Sequence, residues 1–567
     1  MKFERNPWFV NLAIKTVGGY QMRALRLASM NPKFSCANTL RNILNYAKDS
    51  EYGKEHHFAE ILHEAKNDNE KLYRLYQKHV PVNDYEALRP YVERHKQGEP
   101  NVLFPGKPVI YATTSGTTNE PKWIPLTQRY LSSVYGKMTY VWIYNFIKHC
   151  PNTFAGGVVF IVGKLKEGEA PDGTIFGSVS SLTQKKAPNF IRQLYASYPE
   201  IFEINDYNSR YYTLMRMCIE RNITLLITPN PSTILELQHN VDENFDEYVN
   251  DIANGTISDK FDIPDNIRKS LSAKIKPNPQ RAEELRRIKQ EHDQVYFKHF
   301  WPDLQLLSTW KCGNTQIYLN KFKDYFSPET FHQELGYFST ECRFGLVLDD
   351  TNNTVLFPHF HYYEFVAEED FGKETPHFYQ LHELQEGKRY NAYVTTFSGL
   401  YRYNMNDLVE VGPNFMNTPT VHMVQKINGI VSLTGEKLYE QQFIRSVRKA
   451  EELTELKTKF FVGFADLDKS TYHFYYEFAD PSVTQQQAEA FTHVVDSTLQ
   501  KENLEYQSKR ASFRLNDPIT HRLQPNAYHL FKSKCLAEGF RDGQFKFNLL
   551  MQDEKRHNKF KELTIED

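Results

Sequence analysis

The sequence predicts an α/β protein: a large layered domain followed by a small α+β one. Three observations carry that reading. Short continuous apolar runs at 157–162 (GVVFIV) and 224–228 (TLLIT) have the length and β-branched content of strands buried on both faces. Helix-periodic segments lie between and after them, and strand, turn, helix, strand in succession marks layered α/β architecture. Near the end of the chain, the β-rich runs 459–465 and 471–478 flank a polar turn at 466–470. They read as a hairpin, with a helix following it.

Length and charge bound the rest. A chain of 567 residues argues for more than one domain with ample core. With 68 basic and 70 acidic residues the net charge is −2, so no global field favours nucleic acid or an anionic membrane. No window approaches the roughly 18 apolar residues of a membrane helix. Lys15, Arg23 and Arg26 interrupt the first apolar stretch, which therefore reads as an amphipathic surface helix and not as a leader. Cys36, Cys150, Cys218, Cys312, Cys342 and Cys535 are scattered without a CxxC pair, which fits reduced thiols in a cytoplasmic protein.

The elements follow in order. Residues 1 to 100 read mostly helical, with apolar side chains three and four apart from Ala37 to Ala47 and a capped helical turn beginning at Asp84. The run 108–112 (PVIYA) is a buried strand, and 131–146 is an aromatic-rich helix suited to line a pocket. A helical segment is expected near 190–197. After the strand at 224–228, Thr233 and Glu236 have capping-box spacing for a helix start. The polar stretch 240–295 reads as helical surface, and 304–310 opens a second α/β stretch. The turn at 426–430 sets a domain boundary, giving residues 1–427 and 428–567. In the second domain 433–438 is expected to open a helix, and Ser482 with Gln485 to cap the helix through 499.

Three motifs carry chemistry. Between the strand at 108–112 and Pro125 lies a hydroxyl-rich turn: Thr113, Thr114, Ser115, Gly116, Thr117, Thr118 and Asn119, then Lys122. Backbone N–H groups and hydroxyls on such a turn donate to phosphate oxygens, the glycine admits close approach, and Lys122 adds charge. It is neither a Walker loop, since Trp123 follows the lysine, nor a dinucleotide fingerprint, since it has one glycine. Alone, a Thr/Ser run is an ordinary solvated turn. The second motif is Gly336-Tyr337-Phe338-Ser339-Thr340-Glu341. The third runs from Ser398 through Tyr401, Arg402 and Asn406 to Asp407.

In order and spacing these three motifs resemble the adenylate-forming superfamily of acyl-CoA synthetases and firefly luciferase. The long interval from Arg402 to Asp407 is similar to that of one branch, the auxin-responsive acyl-acid–amido synthetases. The resemblance spans almost the whole chain. It implies a large N-terminal domain of β-barrel and layered sheets with a small mobile C-terminal lid. It also implies two half-reactions, in which ATP and Mg²⁺ convert a carboxylic acid to an acyl-adenylate and an amine, typically of an amino acid, then takes the acyl group.

By the resemblance, Thr113 to Thr118 and Lys122 hold phosphates and Tyr337 stacks on adenine. Ser339 and Thr340 meet the α-phosphate, Glu341 holds the metal, and Tyr401 and Asp407 belong to the ribose segment. A carboxylate suits the last role because it accepts from both vicinal hydroxyls. Lys437 and Lys546 match the lysines that the family brings in on its C-terminal domain to offset charge. Asn119 and Asn406 depart from family glycines. Two alternatives follow: an acyl-CoA synthetase, or a catalytically silent nucleotide- or acyl-binding homologue. The substrates expected are small molecules, with no nucleic acid, membrane or obligate protein partner. His359, His361 and Glu364 have metal-like residue types, but no third and fourth ligand accompanies them.

Overall fold

In the computed structural model, the described residues are 6–113, 122–187, 189–312, 316–371, 373–427, 430–431, 433, 436, 438–466, 469–511, 515–538 and 547–565. The chain divides into two compact units. One is Met1–Met405 with Val409–Met423, and the other is Asn406–Leu408 with Val424–Asp567.

The first unit opens with helices. Trp8–Met30 buries Val10, Ile14, Met22 and Leu25 along one stripe, and Pro32–Ala47 buries Leu40, Ile43 and Leu44. The capped turn expected at Asp84 is a full helix, Tyr85–Lys96, with the Asp84 carboxylate accepting the Ala87 N–H. It runs through Pro90 because a proline in the second turn forfeits only one backbone donor.

Three sheets follow. In the parallel one the strands lie in the order Gly157–Phe160, Ile223–Ile227, Leu306–Thr309, Phe331–Glu334. Its first three strands are buried throughout, as continuous apolar runs require when helices cover both faces. A second sheet orders Trp123–Leu126, Ile110–Thr113, Ile175–Gly177 and Gly168–Glu169. The third has seven strands, from Tyr379–Gln380 at one edge through Tyr362–Ala367, Arg389–Thr395, Tyr403–Phe415, Thr418–Lys426 and Thr354–Leu356 to Gly345–Val347.

Some local expectations shift. The helix after the strand Ile223–Ile227 starts two residues early, at Ser232, with Pro231 at its N-cap in place of Thr233. The Asn230 carboxamide accepts the Ser232 N–H, so Thr233 and Glu236 form no capping box. The helix expected near 190–197 is confined to Asn189–Arg192, because Leu194 and Ala196 exchange backbone hydrogen bonds with Val158.

The second unit carries a sheet ordered Ile519–Arg522, Thr471–Phe478, Thr458–Asp466, Leu550–Met551, whose central pair is the expected hairpin. Its helix Gln485–Glu502 is capped by Thr484 and Gln487, two residues beyond the expected pair. Ser482 instead closes a turn on Asp480. The stretch expected to open a helix pairs Ile430–Val431 with Leu438–Tyr439 first, and the helix Glu440–Thr454 begins after them.

Candidate functional site

The strands Ile110–Thr113 and Trp123–Leu126 pair antiparallel, Thr113 opposite Trp123, so the hydroxyl-rich stretch is the connection of a hairpin. Thr113 is buried at its near end, and Lys122 is half-buried at its far end. Thr114, Ser115, Gly116, Thr117, Thr118 and Asn119 lie outside the described residues, as do Lys437 and Lys546. The far end is anchored from the helix Tyr85–Lys96. The Trp123 N–H donates to the Tyr85 hydroxyl at 2.7 Å, and the Lys96 ammonium sits 4.3 Å over the indole.

Immediately after this hairpin, Thr127 and Tyr130 tie the other two motifs to it. The Thr127 side chain caps the following helix by accepting the Tyr130 N–H at 3.0 Å, and donates to the Phe397 carbonyl at 3.1 Å. The Thr127 N–H donates to the Ser398 hydroxyl at 3.3 Å, which fixes the start of the third motif. Three residues on, the buried Tyr130 hydroxyl accepts the Arg343 N–H at 3.0 Å, fixing the end of the second. A π-helical turn, Leu131–Tyr135, then leads into Gly136–His149. Such turns are frequent at functional sites.

The second motif is a closed turn. Phe338 and Arg343 form a bridge, the Ser339 N–H donates to the Cys342 carbonyl at 3.1 Å, and the Ser339 hydroxyl accepts the Cys342 N–H at 3.3 Å. Thr340 and Glu341 stand at its half-buried tip. Tyr337 is buried, with its ring 4.4 Å from that of Phe344. Gly336 has φ +100°, and a Cβ there would meet the Gly345 carbonyl at 2.9 Å, so only glycine fits.

A residue outside the motifs braces this turn. Glu334, at the end of its strand, accepts N–H donors from Gly336 at 2.9 Å, Cys312 at 3.1 Å and Lys311. It pins the loop after the strand Leu306–Thr309 to the start of the second motif. Burial pushes its carboxyl up, and the three donors work against that shift.

The third motif starts on a strained turn. Gly399 has φ +82°, with room for no Cβ against Leu103 at 2.8 Å. Tyr401 departs from the expectation of a ligand contact. It is buried, its hydroxyl donates to the Leu103 carbonyl at 2.6 Å, and its ring stacks on Tyr52 at 4.8 Å. Arg402, at φ +44°, pairs with Glu364 at 3.0 Å and donates to the Val80 carbonyl at 3.0 Å. Asn406 has φ +54°, the left-handed conformation that a glycine would supply, and Asp407 beside it is buried.

Glu364 is therefore occupied by Arg402, and the His361 ring by the Arg343 carbonyl at 3.0 Å. Among the described residues no group of three His, Cys, Asp or Glu is arranged to hold a metal, and no helix is long and apolar enough to cross a membrane. The donor set at the second motif, a carboxylate beside two hydroxyls, is all oxygen. That suits a hard cation that takes its other ligands from phosphates.

Two sequence signals could have found the residues that were missed. A threonine three residues before a tyrosine, directly after a strand, is an N-cap pattern at Thr127. A glutamate ending a strand two residues before a motif glycine marks Glu334.

The GH3 family N-terminal domain matches residues 21–331, its central domain 354–426 and its C-terminal domain 441–555. The indole-3-acetic acid-amido synthetase GH3.10 of Arabidopsis thaliana is 25% identical over 464 residues, covering 75% of this chain and 76% of that protein. The 4-substituted benzoates-glutamate ligase GH3.12 of the same plant is 24% identical, covering 70% and 72%. Among solved structures, the GH3.15 acyl acid amido synthetase superposes with a TM-score of 0.81 at 22% identity over 96% of each chain. A 2-hydroxyisobutyryl-CoA ligase in the postadenylation state superposes with a TM-score of 0.51 at 10% identity, covering 93% and 90%. The mixed α/β fold is that of these ligases.

Proposed function

This chain belongs to the GH3 family, and we propose that it is an ATP-dependent acyl-acid–amido synthetase that joins a carboxylic acid to the amine of an amino acid through an acyl-adenylate. The observation that carries the reading is the junction at Thr127 and Tyr130. It ties the hydroxyl-rich hairpin to the second motif through the Arg343 N–H and to the third through Ser398.

An amine cannot displace oxide from a carboxylate, so the acid must first be activated. A carboxylate oxygen attacks the α-phosphorus of ATP, the bond to pyrophosphate breaks, and a mixed anhydride with AMP remains. The amine then attacks the acyl carbon, AMP leaves with the bonding pair, and the amine loses a proton. The hairpin from Thr113 to Thr118, with Lys122, is suited to the phosphates, Ser339 and Thr340 to the α-phosphate, Tyr337 to the adenine and Asp407 to the ribose. Mg²⁺ held by Glu341 would offset the charge around phosphorus. Tyr401 serves this site as a strut for its own segment.

Lys546, with Lys437, is the cation that the adenylation step requires. Losing one such preorganised charge costs about 3–4 kcal/mol. Lys546→Ala is therefore expected to slow pyrophosphate release on the order of a hundredfold, and near-normal release by that variant would remove it from the mechanism. The left-handed backbone at Asn406 supports a working enzyme over a silent homologue, because the asparagine takes up the conformation of the glycine it replaces. Free thiols and an aqueous nucleotide substrate suit the cytoplasm.

The test is acid-dependent ATP–pyrophosphate exchange on the purified protein across aryl, indolyl and fatty acids, followed by product analysis with amino acids and coenzyme A in competition. Exchange with an amide product bears the proposal out. A coenzyme A thioester as the preferred product, or no exchange with any acid while ATP still binds, refutes it.

A further inference from the structure

We propose that Arg343 receives a second, non-reacting carboxylate on the acyl acid, so that the substrates of this enzyme are dicarboxylic acids. This rests on the ligase reading above and names its substrate class.

Five arginines are buried among the described residues: Arg216, Arg281, Arg343, Arg402 and Arg556. Four of them face a carboxylate, Arg216 on Glu220 at 2.8 Å, Arg281 on Glu284 at 2.8 Å, Arg402 on Glu364 at 3.0 Å and Arg556 on Asp553 at 3.4 Å. Arg343 faces none. Its guanidinium lies 4.2 Å over the ring of Phe338, 5.0 Å over Trp142 and 5.1 Å over Tyr135. Nη1 donates to the Thr139 hydroxyl at 2.7 Å, and Nε has no partner. The indole N–H of Trp142, in the same box, is also buried without a partner.

A charge taken out of water without a counter-charge is expensive, and three aromatic faces offset only part of that cost. A guanidinium keeps its charge at neutral pH. Two orphaned donors, one of them charged, in an aromatic box describe a receptor for a carboxylate carried on an apolar body.

The location says which carboxylate. Arg343 closes the turn that presents Thr340 and Glu341, and the box is completed by helix Gly136–His149 and the π turn before it. Phe338, Tyr135 and Thr139 around it are only partly buried. Fixed on the reacting carboxylate, a guanidinium would stabilise the ground state and resist the loss of negative charge as the anhydride forms. A remote carboxylate keeps its charge through both half-reactions, so its pairing with Arg343 is preserved from binding to product.

The test uses the full chain and pyrophosphate release, with aliphatic and benzenoid diacids, each paired with its own half-amide. At least one diacid is expected to exceed its half-amide in kcat/KM by about a hundredfold. Arg343→Met should abolish that preference, bringing the ratio of kcat/KM for each diacid to that of its half-amide down to about one. Half-amides or simple monoacids used as well as diacids by the wild type would overturn the proposal. So would a variant that lowers both members of a pair equally. Arg343→Gln serves as the second variant, and if neither is soluble the wild-type preference decides. Release with monoacids alone defeats this inference and leaves the ligase reading standing. No release with any acid defeats the ligase reading itself.

Discussion

Tyr130→Phe tests the junction directly. The ring stays, facing His361 at a centroid distance of 6.0 Å, and a single oxygen is lost from a side chain 2% exposed. What changes is the Arg343 N–H, which loses its acceptor at 3.0 Å. A buried donor left unmade costs about 1–3 kcal/mol, and deleting the buried hydroxyl returns part of that, so about 1–2 kcal/mol is expected. With a urea m-value of about 3 kcal/mol/M or more for a unit of this size, the midpoint should fall by about 0.7 M or less. The functional effect should be larger, because a shift of about 1 Å at a reacting centre can cost about a hundredfold. We expect ATP–pyrophosphate exchange to fall at least about tenfold. Tyr73→Phe is the matched control. That buried hydroxyl donates to the Lys33 carbonyl at 2.9 Å, away from the three motifs, so its loss should cost similar stability and leave exchange intact. Equal exchange in the two variants would refute the claim that the junction positions the second motif.

Asn406→Gly should keep exchange within about threefold, since glycine adopts φ +54° without penalty. Asn406→Val should lose about 1–2 kcal/mol and most of the exchange, both read on the purified variants. The second unit predicts a pH dependence. His473 shares a hydrogen bond with His521 at 2.9 Å, and His557 pairs with the Tyr475 hydroxyl at 2.9 Å. Lys469, Lys561 and the carboxylate of Asp466 lie around them. Burial first, and the mutual repulsion of the ring charges second, lower His521 to about 3 and His557 to about 4 from the ordinary 6.5. Below pH 6.5 the unfolded chain takes up protons that the folded one refuses. The stability held above that pH is therefore lost as pH falls towards 4, by up to about 1.4 kcal/mol per pH unit for each proton. Urea midpoints measured across that window should slope in wild type and less steeply in His521→Gln, and parallel slopes would show that His521 is not responsible.

Much of the layering was legible because it is local. The runs at 157–162 and 224–228 are strands since apolar β-branched residues in sequence have no other way to hide both faces. The hairpin at 458–478 and the Asp84 cap depend on neighbours a few residues apart. The N-caps of the helices that start at 232 and 485 were each misplaced by two residues. Several hydroxyls and carboxamides there compete for the same N–H donors, and the end of the preceding segment decides among them. The junction was illegible for a different reason. Thr127 meets Ser398 across 271 residues and Tyr130 meets Arg343 across 213, and nothing near either residue announces so remote a partner.

A motif residue is ambiguous until its hydrogen bonds are known. Tyr401 and Ser339 match the family pattern as well as Glu341 does. Yet the Tyr401 hydroxyl is engaged by a backbone carbonyl, and the Ser339 hydroxyl both gives to and takes from Cys342. Their chemistry holds the turns in shape, and any ligand contact from Ser339 competes with closure of its own turn. Glu334 belongs to no motif, but its three N–H bonds fix the loop after one strand and the entry to Tyr337 together. Replacing it with glutamine would put a donor where at least one of those N–H groups needs an acceptor. A second-motif turn can therefore be intact letter by letter and still be misplaced. That is why the residues that decide its position are better candidates for loss of function than several of the motif residues themselves.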